Sequence, residues 1–163
     1  MSRTIYEEHI FCKGIALALG LVTVGMLVMT IRQWLALSPS ADPVWLNPAL
    51  FVFFLLLTLN FARLNVVITD EQATIGFGVI RSHTMWRDVV DCYPDETSVL
   101  RYGGWGIRIG CHRGKWRLVF NDIGAPRVVL LRRNNSIPEV IFSTHRPEQA
   151  VEAVRTALRR AAG

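Results

Sequence analysis

The chain of 163 residues is short of charge, short of cysteine, and lacks every side-chain spacing by which catalysis or metal binding is usually recognised. Charged residues make up 19% and apolar residues 51%, whereas an average soluble domain carries about 25% charged residues. Disorder requires low hydrophobicity with high net charge, so this composition excludes it. Three cysteines do not make a disulfide scaffold, and an odd number suits free thiols in a reducing cytoplasm. Cys92, Cys111, His83 and His112 all fall in the second half, but no C-x-x-C or H-x-x-x-H pair occurs, so no metal is expected. There is no Ser-His-Asp set, no carboxylate pair and no nucleophile elbow. The glycines of Gly103-Gly104-Trp105-Gly106 lack G-x-G-x-x-G spacing and open a strand, not a helix, so a nucleotide loop is not expected either. These absences point to a protein without cofactor and without catalysis; an enzyme would have to work with Cys111-His112.

Charge is also missing locally. Residues 1–62 hold Arg3, Glu7, Glu8, Lys13, Arg32 and Asp42, net zero, while residues 63–163 hold 15 basic and 10 acidic groups, net +5. Gly14 to Ile31 is 18 residues without a charge. As a helix rising 1.5 Å per residue, such a run measures about 27 Å, close to the hydrocarbon thickness of a bilayer. Val44 to Ala62 is a second uncharged run of 19 residues, with the block Leu50–Leu57 at its centre. The SPSADP segment, Ser38 to Pro43, separates them and reads as a loop. The expectation is two transmembrane helices, about 14–31 and 44–62, in an antiparallel hairpin. A signal peptide is not expected, because the apolar run is too long, Glu7 and Glu8 oppose a positive leader, and no small-x-small site precedes the loop. Basic residues flank the outer ends (Arg3, Lys13, Arg63), which places both termini in the cytoplasm and the short loop outside the cell membrane. Trp34 and Trp45 on one side, and Tyr6 and Phe11 on the other, suit the two interfaces. Thr58 and Asn60 read as interfacial or interhelical hydrogen-bonding groups, and Ala16 with Gly20 as a small-residue pair that permits close helix packing.

From Arg63 the period changes. Alternating or β-branched runs at 63–70, 73–80, 83–91, 106–110, 116–120, 127–131 and 139–143 are separated by turn signals, which predicts about seven antiparallel strands in a small barrel or sandwich. From Pro147 the apolar positions Ala150, Val151, Val154, Ala157 and Leu158 follow one helical face, with Glu148 near its start and Arg155, Arg159 and Arg160 near its end. One amphipathic C-terminal helix should close the sheet. The domains are thus 1–62, an N-terminal segment with the two spans, and 63–163, a cytoplasmic domain of α+β class.

The text LNVVITDEQATIGFG, YGGWGIRIG at 102–110, RVVLL at 127–131 and STHRPEQAVEAV at 143–154 resembles the bacterial pleckstrin-homology-like domains of small membrane proteins. The resemblance covers Arg63 to Leu158, about 60% of the chain. It implies seven strands closed by a helix, a transmembrane hairpin feeding the domain, and a binding or scaffolding role without catalysis. It names no partner. The inositol phosphate site of eukaryotic relatives needs Lys and Arg around the first two strands, where this chain has the acidic turn Asp70-Glu71-Gln72, so that ligand is not expected.

Basic residues gather instead on one hairpin. Tyr102, Trp105, Arg108, Arg113, Lys115, Trp116 and Arg117 form the candidate interaction face, with tryptophan interleaved among the cations. Such a face suits anionic headgroups or an acidic partner protein, for which Trp and Arg are favoured anchors. The competing arrangement has the tryptophans filling the core and the cations forming a solvated face. No groove-reading motif for nucleic acid is present. The sequence therefore predicts an accessory or assembly subunit of a larger membrane protein complex, with a lone sensor of anionic lipid at the inner membrane surface as the alternative.

Overall fold

The computed structural model describes residues 3–35, 43–95, 104–112, 114–133 and 137–162. Its chain divides into two compact units. One comprises the helical segment Cys12–Ala62; the other takes Arg63–Gly163 together with the N-terminal residues up to Phe11.

The helical unit contains α1 (Lys13–Trp34) and α2 (Leu46–Phe61), packed against each other as a hairpin. Thr23 and Thr58 meet across the hairpin, Oγ1 to Oγ1 at 3.0 Å, and each Oγ1 also lies 2.8 Å from a carbonyl one turn back in its own helix, so one hydroxyl donates across the hairpin while the other donates within its helix. Asn47 Nδ2 donates to Gln33 Oε1 at 3.0 Å near the other end. The feet are joined by the Cys12 N–H donating to the Ala62 carbonyl at 2.9 Å. Thr58 thus has an interhelical partner. Gly20 does not serve the contact, since a Cβ placed there would meet nothing within 4 Å.

The two expected spans are corrected here. Among the described residues only α1, at 22 residues, is long and apolar enough to cross a membrane. The second helix starts at Leu46 instead of Val44, because Val44 and Trp45 form a turn, and it runs for 16 residues. At 1.5 Å per residue that is about 24 Å, short of a hydrocarbon core of about 30 Å. The loop expected at Ser38–Pro43 lies outside the described residues except for Pro43.

Among the described residues the β unit holds nine strands and a helix. Strands β1 (Thr4–Phe11), β2 (Arg63–Thr69), β3 (Gln72–Phe77) and β4 (Ile80–Met85) form an antiparallel sheet in that order. Strands β5 (Val89–Asp95), β6 (Gly106–His112), β7 (Lys115–Asn121), β8 (Arg127–Arg132) and β9 (Glu139–Ser143) form a second sheet in the order β5-β8-β9-β7-β6. Helix α3 (Pro147–Ala162) packs on β5, β1, β2 and β8, so it touches both sheets. It buries Ala150, Val151, Val154 and Ala157, and half-buries Leu158.

This corrects the expected single barrel of about seven antiparallel strands in three ways. The run 83–91 is two strands, not one. A short 3-10 turn at Trp86–Asp88 breaks it and begins a new sheet at Val89. Buried Trp86 fixes that corner, its indole Nε1 donating to the Thr69 carbonyl at 3.0 Å. The N-terminal segment supplies a further strand: β1 pairs with β2 from Thr4↔Thr69 to Phe11↔Arg63. Finally, β9 lies between β7 and β8 and runs parallel to β7. The connection after β7 arches over the end of β9 and is held there, with the Asp122 N–H donating to Ser143 Oγ at 2.9 Å and the Thr144 N–H to the Pro126 carbonyl at 2.9 Å.

The core lies on both faces of the second sheet. One face presents Phe120, Phe142, Val128, Val140 and Leu130, all buried; Phe120 meets Phe77 of the first sheet with ring centroids 6.4 Å apart. The other face carries Val119, Val129 and Ile141, a buried cluster across three adjacent strands.

Candidate interaction face

The β6–β7 hairpin holds every described residue of the predicted face except Trp105, which lies just before β6. Its register is regular over seven pairs, from Gly106↔Asn121 to His112↔Lys115. Side chains alternate across a strand, and residues directly opposite share a face. Arg108, Lys115 and Arg117 therefore lie on the face of Val119. Ile107, Ile109, Cys111, Trp116 and Leu118 lie on the face of Phe120. The hairpin is rooted in the core and leaves it toward the turn. Phe120 is fully buried, Leu118 is half-buried, and Trp116 is 53% exposed. The reason is register: β9 pairs with β7 only from Arg117↔Glu139 to Phe120↔Phe142. Lys115 and Trp116 overhang that pairing, with β6 as their remaining neighbour.

The structure divides the predicted residues. Trp105 is 42% exposed, so neither tryptophan of the hairpin fills the core. Arg108 and Lys115 are exposed on one face, while Ile109, 61% exposed, and Trp116 stand out on the other. Arg117 does not belong to a free cationic surface: its side chain is 16% exposed and forms an ion pair with buried Glu139, Nε to Oε2 at 2.5 Å. A buried carboxylate demands such a partner, and β9 brings Glu139 opposite Arg117. A second pair, Arg127 Nε donating to Asp95 Oδ2 at 3.2 Å, is buried between β8 and β5. Tyr102 and Arg113 lie outside the described residues, as does the side chain of His112. Gly104 has φ +113, a conformation that favours glycine, and a Cβ there would come within 3.0 Å of the Arg108 guanidinium.

The sulfur and imidazole groups are dispersed. Cys92 is buried on β5, where burial pushes its thiol pKa up to about 12, so it stays protonated. Cys111 is exposed and Cys12 buried. His83 Nδ1 lies 3.1 Å from Thr74 Oγ1. Among the described residues, no three His, Cys, Asp or Glu side chains gather as metal ligands would.

A polar cluster that the sequence reading passed over sits where β1 meets the start of α3. Glu8 is 5% exposed. Its Oε2 accepts from the hydroxyls of Tyr6 and Thr144, each at 2.6 Å, and its Oε1 accepts from the His145 N–H at 3.0 Å. Thr144 Oγ1 also accepts the Arg146 N–H at 3.0 Å, and the Arg146 guanidinium lies 5.9 Å from the centre of the Tyr6 ring. Burial works to raise the Glu8 pKa, but the hydrogen bonds from Thr144, Tyr6 and His145 outweigh it and hold the carboxyl below its ordinary value. Burial and the bond to Glu8 push the Tyr6 hydroxyl the other way, up to about 12. With every Glu8 contact made inside the chain, this cluster fastens β1 to the junction of β9 and α3.

Compared with family models, with curated proteins and with solved structures, the chain finds no match.

Proposed function

We propose that the protein is a membrane-anchored binding protein, without catalysis, that serves as an accessory or assembly subunit of a larger membrane protein complex. Helix α1 is the anchor and the β6–β7 hairpin is the docking face. The observation that carries this reading is the exposure of the hairpin, with Trp116 and Ile109 on one face and Arg108 and Lys115 on the other. A folded unit with filled cores has no internal use for exposed Trp and Ile side by side, and exposed apolar groups rimmed by charge favour partner contacts. The resemblance of the YGGWGIRIG and STHRPEQ text to bacterial pleckstrin-homology-like domains supports a binding role.

In this reading α1 inserts in the bilayer. Strands β1 and β2 flank the helical unit and are sheet neighbours, so they share a side of the membrane. The basic excess of residues 63–163 favours the cytoplasmic side of the cell membrane. The test is purification of the full chain in mild detergent. A partner membrane protein should accompany it in fixed stoichiometry, and Arg108→Glu with Lys115→Glu should reduce the yield of that partner. A chain that purifies alone and instead binds vesicles of anionic lipid would replace the subunit reading with the lipid-sensing one.

A further inference from the structure

We propose that the open edge of β6 accepts an extended segment of a partner protein as an added strand, and that this segment alternates acidic and apolar residues. The proposal rests on the docking reading above and supplies its mode of recognition.

An edge strand carries a row of backbone donors and acceptors able to pair with another chain, and most proteins blunt such edges with proline, bulges or inward charge. Two other edges of this β unit are interrupted. The register of β1 slips between Thr4 and Tyr6. Strand β5 slips between Val89 and Asp91 and contains Pro94. Strand β4 keeps an unbroken register, but it does not set a cationic face against an apolar one as β6 and its neighbour β7 do. Strand β6, GIRIGCH, has no proline, no acidic residue and an unbroken register. Among the described residues it pairs only with β7. Arg108, Ile109, Gly110 and Cys111 are exposed in succession, so both faces of the strand are open as well as its edge. At its centre Gly110 clears the approach, since even a Cβ there would meet nothing within 4 Å.

The occupant follows from the alternation. A strand laid beside β6 continues both faces of the sheet. On one face its side chains meet Arg108, with Lys115 one strand further on; on the other they meet Ile109 and Cys111, with Trp116 and Leu118 beyond. Charge complementarity calls for Asp or Glu on the first face, and apolar burial for Val, Ile or Leu on the second. A second copy of this chain does not fit, because its β6 would bring another Arg108 and no carboxylate.

The test uses the full chain in detergent micelles and a capped synthetic peptide in which Glu and Val alternate over seven positions. Amide hydrogen exchange is followed by mass spectrometry with and without the peptide. Exchange at residues 106–112 should slow by about tenfold or more when peptide is bound. The same peptide N-methylated at alternate residues, which cannot complete a ladder, should give no slowing. Arg108→Glu should weaken peptide binding by about tenfold, and raised salt should do part of the same. Absence of slowing at 106–112 at millimolar peptide overturns strand addition, as does equal slowing by the N-methylated peptide. So does slowing caused by anionic vesicles with none by the peptide. The subunit reading stands or falls separately. A stoichiometric partner recovered in detergent, with no peptide protection, keeps that reading and removes strand addition. Peptide protection with no partner recovered supports strand addition and removes the subunit.

Discussion

The junction of β1 with α3 and the tip of β6–β7 are built from similar material and end in opposite states. Each lies on a strand at the edge of a sheet, and each combines aromatic rings with charged groups. At the junction, the Glu8 carboxylate is enclosed and all its contacts are made within the chain. At the hairpin tip, Trp116, Ile109, Arg108 and Lys115 face solvent. The difference lies in what packs above the strand. Helix α3 covers β1, whereas β7 outruns its pairing with β9 by two residues. Enclosed polar groups act on stability. Exposed apolar and basic groups are free to act on a partner.

Substitutions should separate the two regions by size of effect. The largest should come at the root of the hairpin: Phe120→Ala removes a fully buried ring and should cost about 3–5 kcal/mol, read as a lowered unfolding midpoint of the full chain in denaturant. A midpoint unchanged there would mean that the hairpin is not rooted in the core. Glu8→Ala leaves the hydroxyls of Tyr6 and Thr144 with one hydrogen bond between them in place of two to the carboxylate, removes the acceptor of the His145 N–H, and should cost about 1–3 kcal/mol. If it proves neutral, the junction is no more than a surface contact.

The same carboxylate gives a dependence on pH. Its pKa is lowered in the folded state, so its contribution is present above the unfolded value near 4.3 and is lost as pH falls through the folded value. Acid midpoints of wild type and Glu8→Ala should therefore converge on acidification. Tyr6 acts at the other end of the scale. Its raised pKa means that the neutral form is the one the fold accommodates, so stability should fall as pH rises from about 10 toward about 12.

Arg117 and Lys115, two residues apart on one strand face, sharpen the contrast further. Arg117→Gln leaves Glu139 without its ion-pair partner and should cost about 1–3 kcal/mol. Lys115→Gln should change stability by about 0.5 kcal/mol or less. Equal effects would show that the ion pair contributes nothing beyond a surface cation. The smallest effect on folding should be that of Trp116→Ala, also about 0.5 kcal/mol or less, while partner recovery drops. If recovery is untouched, the overhang is not the docking face.

Local features of the fold were legible in the sequence, and non-local ones were not. Helix α3 shows in the spacing of Ala150, Val151, Val154 and Ala157, and most strand positions show in β-branched runs between turns. Strand β1 does not, because its inward positions are Tyr6, Glu8 and Ile10, and a glutamate on the buried side destroys the usual alternation. Its sign was a β-rich Thr-Ile-Tyr start followed by charges, which reads equally as a membrane flank. The corner at Trp86 is invisible in HTMWRDVVD, since a 3-10 turn of three residues leaves no periodic mark. The length of α2 turns on where a turn ends near Trp45, not on composition. For the site, the basic and aromatic cluster was readable. Which cations stay free was not: the Arg117–Glu139 pair depends on β9 slotting in beside β7 across 22 residues of chain. The faces of the two tryptophans likewise needed the register.

The pairing of β1 with β2 has a consequence for how the chain is made. The helical hairpin interrupts what would otherwise be a simple β-turn, since Phe11 and Arg63 are register partners. Strand β1 is made before residues 63–69, its ladder partner, and before Thr144 and His145, which bond Glu8. Closing a loop of that length costs entropy that grows only slowly with the number of residues, but it must be met before any strand contact repays it. Once α1 and α2 have packed, the Cys12–Ala62 bond has already brought the two ends together. The first sheet is then left with a short local closure in place of a long one. Packing of α1 on α2 therefore shortens the closure that the first sheet needs.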